Sequence, residues 1–102
     1  MKKAISTVLV VEDDPMVQRL LDGFLGELGI VAETASSVGE EAEIARLKGD
    51  LIDAAVIDLD LPDGSGFQLA RKLRLDRPKL PVIIATGYAR AAIPHAPGPR
   101  FG

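Results

Sequence analysis

The 102-residue chain contains no cysteine. That excludes a disulfide scaffold, a thiolate metal site and cysteine-based catalysis, and it fits a cytoplasmic location. Positive charge is not in excess either. Twelve Lys and Arg stand against fifteen Asp and Glu, giving a net charge of −3 and no basic stripe for direct nucleic-acid binding. No apolar run approaches the roughly 20 residues needed to cross a bilayer, so no membrane association is expected. Met1-Lys2-Lys3 and the apolar stretch to Val11 have the outline of a secretion signal. The stretch runs directly into Glu12-Asp13-Asp14 without a small-residue cleavage site, and reads instead as a buried strand. What is present is ordinary globular composition, 47% hydrophobic and 26% charged, at a length that makes one domain.

Four apolar runs recur: Val8-Val11, a weaker Val31-Ala35, Ala54-Ile57 and Pro81-Ala85. Three of them are continuous rather than alternating, as strands covered on both faces of a parallel sheet are. Helical patterns lie between them. Val17, Leu20, Leu21, Phe24, Leu25 and Leu28 form a wide apolar stripe read as core, with Asp14 as N-cap, Pro15 at the first position and Gly29 at the end. A second helix opens on Ser37-Val38-Gly39-Glu40, with capping-box spacing, and runs to about Lys48. Its Glu40, Glu41, Glu43, Arg46 and Lys48 read as a solvated face. A third starts near Ser65-Gly66 and is expected to turn Phe67, Ala70 and Leu73 inward, ending before Pro78. Strand and helix thus alternate, the pattern of right-handed βαβ units and an α/β, doubly wound parallel sheet. From Ala91 onward, three Pro and two Gly in twelve residues predict a loop or tail. The expected division is a folded body over 1–90 and a tail over 91–102.

Ligands of open parallel sheets bind outside the carboxyl ends of the strands. Here those ends carry Glu12, Asp13 and Asp14 after the first run, Asp58 after the third, and Thr86-Gly87 after the fourth. Carboxylates crowded into one crevice oppose one another's ionisation unless a cation joins them. A hard divalent ion with oxygen ligands is the natural solution, and Mg²⁺ suits a site that keeps several waters and meets a phosphate. Asp58 beside such an ion is placed to act as a nucleophile toward phosphorus. Thr86 offers a hydroxyl to a phosphoryl oxygen, and Gly87 leaves room for the group to enter.

Three blocks then carry a resemblance: Val8-Leu9-Val10-Val11-Glu12-Asp13-Asp14-Pro15, Val56-Ile57-Asp58-Leu59-Asp60-Leu61-Pro62-Asp63-Gly64-Ser65-Gly66, and Leu80-Pro81-Val82-Ile83-Ile84-Ala85-Thr86-Gly87. In order and spacing they resemble the CheY-like response-regulator receiver domain of two-component signalling. The resemblance implies a flavodoxin-like sheet of strand order 2-1-3-4, with the family's fifth strand missing from this chain. It also implies roles. Asp58 resembles the phospho-acceptor and, with Glu12, Asp13 and the backbone carbonyl of Asp60, the Mg²⁺ site; Thr86 resembles the switch hydroxyl. The implied donor is a phosphohistidine on a sensor histidine kinase or histidine phosphotransfer protein. Such a domain is a phospho-acceptor rather than an enzyme, limited to self-phosphorylation and slow self-dephosphorylation.

The chain departs from the family pattern after Thr86. The family's Lys-Pro, fifth strand and last helix are not found, and the last lysine is Lys79. The expectation is that this sequence stops short of the natural chain. Without a fifth strand, Pro81-Ala85 becomes an exposed apolar edge through which a dimer could form, and part of the Leu20-Phe24 face loses its cover. Two rival functions remain. A pseudo-receiver would keep the fold and signal without phosphate, in line with the absent lysine. A phosphatase of the haloacid-dehalogenase type would use Asp58-Leu59-Asp60 as its Asp-x-Asp pair, although that motif normally ends the first strand. Asp14 reads as a helix cap, Asp63 as a turn former, and His95 as a surface residue.

Overall fold

A computed structural model of the chain describes residues 4–85. Thr86, the expected boundary at residue 90 and the expected 91–102 tail lie outside the described residues. Six strands and three helices follow in order: β1 (Thr7–Val11), α1 (Pro15–Glu27), β2 (Val31–Ala35), α2 (Val38–Lys48), β3 (Ala54–Asp58), β4 (Asp60–Leu61), β5 (Gly64–Ser65), α3 (Gly66–Asp76) and β6 (Val82–Ala85). A short 3-10 turn, Gly49–Leu51, joins α2 to β3. The main sheet is parallel in the order β2-β1-β3-β6, which is the expected 2-1-3-4 order of its four strands. The strands β4 and β5 form a separate antiparallel hairpin around Pro62-Asp63.

The helix ends follow from local chemistry. The Met16 N–H donates to Asp14 Oδ1 at 2.9 Å, the expected N-cap, and Pro15 occupies the first helical position. At the other end Gly29 adopts φ +77°; its N–H donates to Gly26 O, and the Ile30 N–H to Leu25 O. These two bonds are a Schellman motif, and Ile30 and Leu25 share the same apolar cluster, as that motif favours. The Ser37 hydroxyl accepts the Glu40 N–H, while the Glu40 carboxylate accepts the Ser36 N–H. The Ser65 hydroxyl accepts from Phe67 and Gln68.

Both sheet faces are covered, which explains the continuous apolar strands. Leu9, Val11, Ala55 and Ile57 pack with Leu69, Ala70 and Leu73 of α3 and with Leu61 and Leu80. Val8, Val10 and Ala54 point the other way, to Leu21 and Leu25 of α1. The sheet's N-terminal end is closed by Asp53, whose carboxylate accepts the Ser6 N–H, the Ser6 hydroxyl and the Thr7 N–H.

Three expectations need correction. The α1 stripe is not uniformly core: Leu20, Phe24 and Leu28 are 61–68% exposed, and only Val17, Leu21 and Leu25 turn partly inward. Thirteen residues of helix cannot bring a stripe that wide onto one flat sheet, so its flank stays outside. Phe67 is exposed, because α3 buries the face of Gly66, Leu69, Ala70 and Leu73 and Phe67 lies one step around the helix. Glu41 is 2% exposed rather than solvated, since it shares the inward face of Val38, Ile44 and Ala45.

Candidate functional site

The strand register brings the acids together. Val11 pairs with Ile57 across β1 and β3, so the next residues on each strand, Glu12 and Asp58, leave the sheet side by side. Both are buried, at 2% exposure, and Asp13 beyond them is exposed. One carboxylate oxygen from each of Glu12, Asp13 and Asp58 lies within 4.8 Å of the others. At that separation each pair of charges repels by roughly 3–4 kcal/mol at an effective dielectric of about 20, and by about 1 kcal/mol in bulk water. A divalent cation removes that cost.

The two buried acids are held by their own surroundings. The Glu12 carboxylate accepts the Asp14 N–H at 3.0 Å, which turns it back under the start of α1. The Glu12 backbone is fixed on both sides: its N–H donates to Ala35 O, and its carbonyl accepts from the Gln18 side chain. Asp58 Oδ1 accepts the Asp60 N–H at 3.4 Å, so the chain curls tightly after β3. The Gly66 N–H donates to Leu59 O at 2.8 Å and closes that curl. A Cβ on Gly66 would stand 1.9 Å from the Asp58 carbonyl oxygen, so this position needs glycine.

The structure therefore gathers Glu12, Asp13 and Asp58, with the Asp60 backbone N–H on Asp58 Oδ1; Thr86 lies outside the described residues. Asp14 faces its helix as a cap. Asp63 does more than form a turn. Its carboxylate accepts from Val38 and Gly39 at the start of α2, and these bonds hold its carboxyl below the usual carboxylate range. The donor set is all hard oxygen, with two buried carboxylates and one exposed, which leaves coordination positions open to water. That chemistry fits Mg²⁺.

A family model of the response regulator receiver domain matches residues 8–96. The chain belongs to that family. Among relatives of this receiver domain, the photosynthetic apparatus regulatory protein RegA of Cereibacter sphaeroides is 38% identical over 87 residues, covering 85% of this chain and 46% of RegA. The DNA-binding transcriptional activator DevR/DosR of Mycobacterium tuberculosis is 42% identical over 84 residues, covering 79% of this chain and 37% of its own. The receiver chain thus spans less than half the length of these two curated relatives. A receiver domain from Clostridium thermocellum superimposes with a TM-score of 0.75 at 28% identity, covering 87% of this chain and 72% of that one. TrrA of Thermotoga maritima, solved with Mg²⁺ and BeF, gives 0.73 at 27% identity, covering 84% and 73%. The receiver assignment places the chain in two-component signalling, a family that binds Mg²⁺ at an acidic pocket. Asp58 ends the third strand rather than the first, so the phosphatase resemblance is left with Asp58-Leu59-Asp60 alone.

Among the described residues no helix is long and apolar enough to cross a membrane.

Proposed function

We propose that the domain accepts a phosphoryl group on Asp58 from a phosphohistidine donor, in a Mg²⁺-dependent transfer. The observation that carries this reading is the meeting of Glu12, Asp13 and Asp58 within 4.8 Å at the carboxyl end of the two central strands. The buried Asp58 carboxylate supplies the attacking oxygen. An O–P bond forms on Asp58 as the N–P bond of the donor breaks, and the imidazole leaves with its electron pair. Asp13, Asp58 and Glu12, with the Asp60 carbonyl, would hold Mg²⁺, Asp13 directly and Glu12 through water. When bound, the ion neutralises charge on the phosphoryl oxygens. The chain's own contribution is positional: β1 and β3 fix the two acids in register, and the curl closed by Gly66 fixes Asp58.

Thr86 would move its hydroxyl toward the new phosphoryl group and relay the change. Phosphorylation replaces the single charge of the Asp58 carboxylate with the roughly two of an acyl phosphate and adds three acceptor oxygens, enough to bias a two-state surface. The implied partner is a sensor histidine kinase or a histidine phosphotransfer protein, and the setting is the cytoplasm. The domain acts as an acceptor rather than a turnover enzyme.

Incubation with acetyl phosphate and Mg²⁺ tests this. Wild-type protein should take up one hydroxylamine-sensitive phosphate, and Asp58→Asn should take up none while keeping its circular dichroism spectrum. Asp13→Asn should weaken Mg²⁺ binding. Uptake by the Asp58→Asn variant overturns the acceptor assignment, and no uptake by the wild type favours a phosphate-independent interaction module.

A further inference from the structure

The turn between β4 and β5 carries a carboxylate bound to the start of α2. Val38 donates its N–H to Asp63 Oδ1 at 2.7 Å, and Gly39 donates to Oδ2 at 3.1 Å. Val38 and Gly39 are the first two residues of α2, whose N–H groups have no partner within the helix. Ser37 satisfies the Glu40 N–H, so a local cap and a distant carboxylate divide the orphan donors between them. A second contact backs up the first: a Cβ on Gly64 would stand 3.1 Å from Val38 Cγ2. The hairpin tip therefore rests on the start of α2.

The other end of the same hairpin begins at Asp60, two residues after Asp58. Its ladder has only two registered pairs, Asp60 with Ser65 and Leu61 with Gly64. A hairpin that short does not hold its own shape in water. Leu61, 9% exposed, anchors one point of it in the core. The stem is pinned by the Gly66 N–H on Leu59 O and the Asp60 N–H on Asp58 Oδ1, which leaves the tip to be placed. The two bonds to Asp63 fix that tip against α2.

We propose that Asp63 is a positioning residue for the acceptor pocket. By fastening the hairpin to the N-terminus of α2, it sets where the Asp60 carbonyl stands relative to Asp58, and through that the metal affinity of the pocket. The inference rests on the reading in which Asp60 and Asp58 share Mg²⁺. Coupling between two sites is reciprocal, so bound metal should in turn tighten the hairpin on α2.

Calorimetric titration of the full chain with MgCl₂ tests this, with Ser37→Ala as the control. Ser37→Ala frays the same helix end without touching the hairpin. Asp63→Ala should weaken Mg²⁺ binding about tenfold, Asp63→Asn should fall between, and Ser37→Ala should stay within about twofold of wild type. Mg²⁺ should also slow amide exchange at Val38 and Gly39 in wild type and in Ser37→Ala, but not in Asp63→Ala. Unchanged affinity in both Asp63 variants overturns the inference alone, as does an equal loss in Ser37→Ala. A wild-type chain that binds no Mg²⁺ overturns the pocket reading and this inference with it.

Discussion

Glu41 shows how much one side chain's surroundings decide. It is a carboxylate on a helix whose other acids, Glu40 and Glu43, stay in water, yet only 2% of its surface is exposed. Burial pushes its carboxyl above the usual range; Lys72 of α3 pulls it back and Asp76 adds to the rise. The folded state thus holds this proton more tightly than the unfolded chain does. Its contribution to stability is fully present below the ordinary value of 4.5 and is lost as pH rises through the raised value. Glu41→Gln should therefore be more stable than wild type at pH 7, by about 1 kcal/mol in urea denaturation. The advantage should shrink toward pH 4. Asp63 has the opposite sign: its lowered carboxyl adds stability above its ordinary 3.8, and that stability is lost as pH falls through the lowered value. Neither role was legible in the sequence. The run of charges from Glu40 to Lys48 concealed the inward spacing of Val38, Glu41, Ile44 and Ala45. The chemistry around Pro62-Asp63-Gly64 spells a turn, and nothing local says that its carboxylate caps a helix 24 and 25 residues upstream. The acids Glu12, Asp13 and Asp58 were legible, because they stand at or just past the ends of strands and parallel strands gather their carboxyl ends.

The junction of β3 and α3 shows the same dependence between elements. The start of α3 lies against the end of β3, with no room for a side chain on Gly66. Gly66→Ala should destabilise the domain by about 3 kcal/mol or more, because the backbone carbonyl of Asp58 must move to admit the methyl group. The same shift should lower phosphate uptake from acetyl phosphate beyond what unfolding explains, a difference that uptake per folded molecule measures. Gly29→Ala lies far from the pocket and requires only a left-handed backbone. It should cost about 1 kcal/mol and leave uptake per folded molecule unchanged. Helix ends were the most legible elements, since Asp14-Pro15, Gly29, Ser37 and Ser65 act on backbone groups a few residues away. The β4–β5 hairpin was not legible: two-residue strands are too short to carry a period. Phe67 was misplaced by one step because apolar identity outweighed the i, i+3, i+4, i+7 spacing that Gly66, Leu69, Ala70 and Leu73 satisfy.

Among the described residues the sheet is covered unevenly. The face toward α2 and α3 carries the larger core, while α1 covers the other face over β1 and β2. Gln18 and Asp22 of α1 and Ala32 and Thr34 of β2 line an open groove between helix and strand, and the apolar flank of Leu20 and Phe24 is exposed. Phe24→Ala should therefore cost less than about 1 kcal/mol, whereas Leu9→Ala, at a site 2% exposed, should cost about 3–5 kcal/mol. Denaturant titration separates the two. The parallel architecture was legible from continuous apolar runs alternating with helices, but no periodicity states which strands are neighbours. The 2-1-3-4 order came from the family resemblance, and it is that order which sets Glu12 beside Asp58. The central claim is that this pocket directs phosphorus to one oxygen-bearing side chain. Borohydride reduction after Mg²⁺-dependent phosphorylation, followed by peptide sequencing, reads that choice directly, because reduction converts an aspartyl phosphate to homoserine. The account predicts homoserine at position 58 alone; homoserine at Asp13 or Asp60, or at no position, would contradict it.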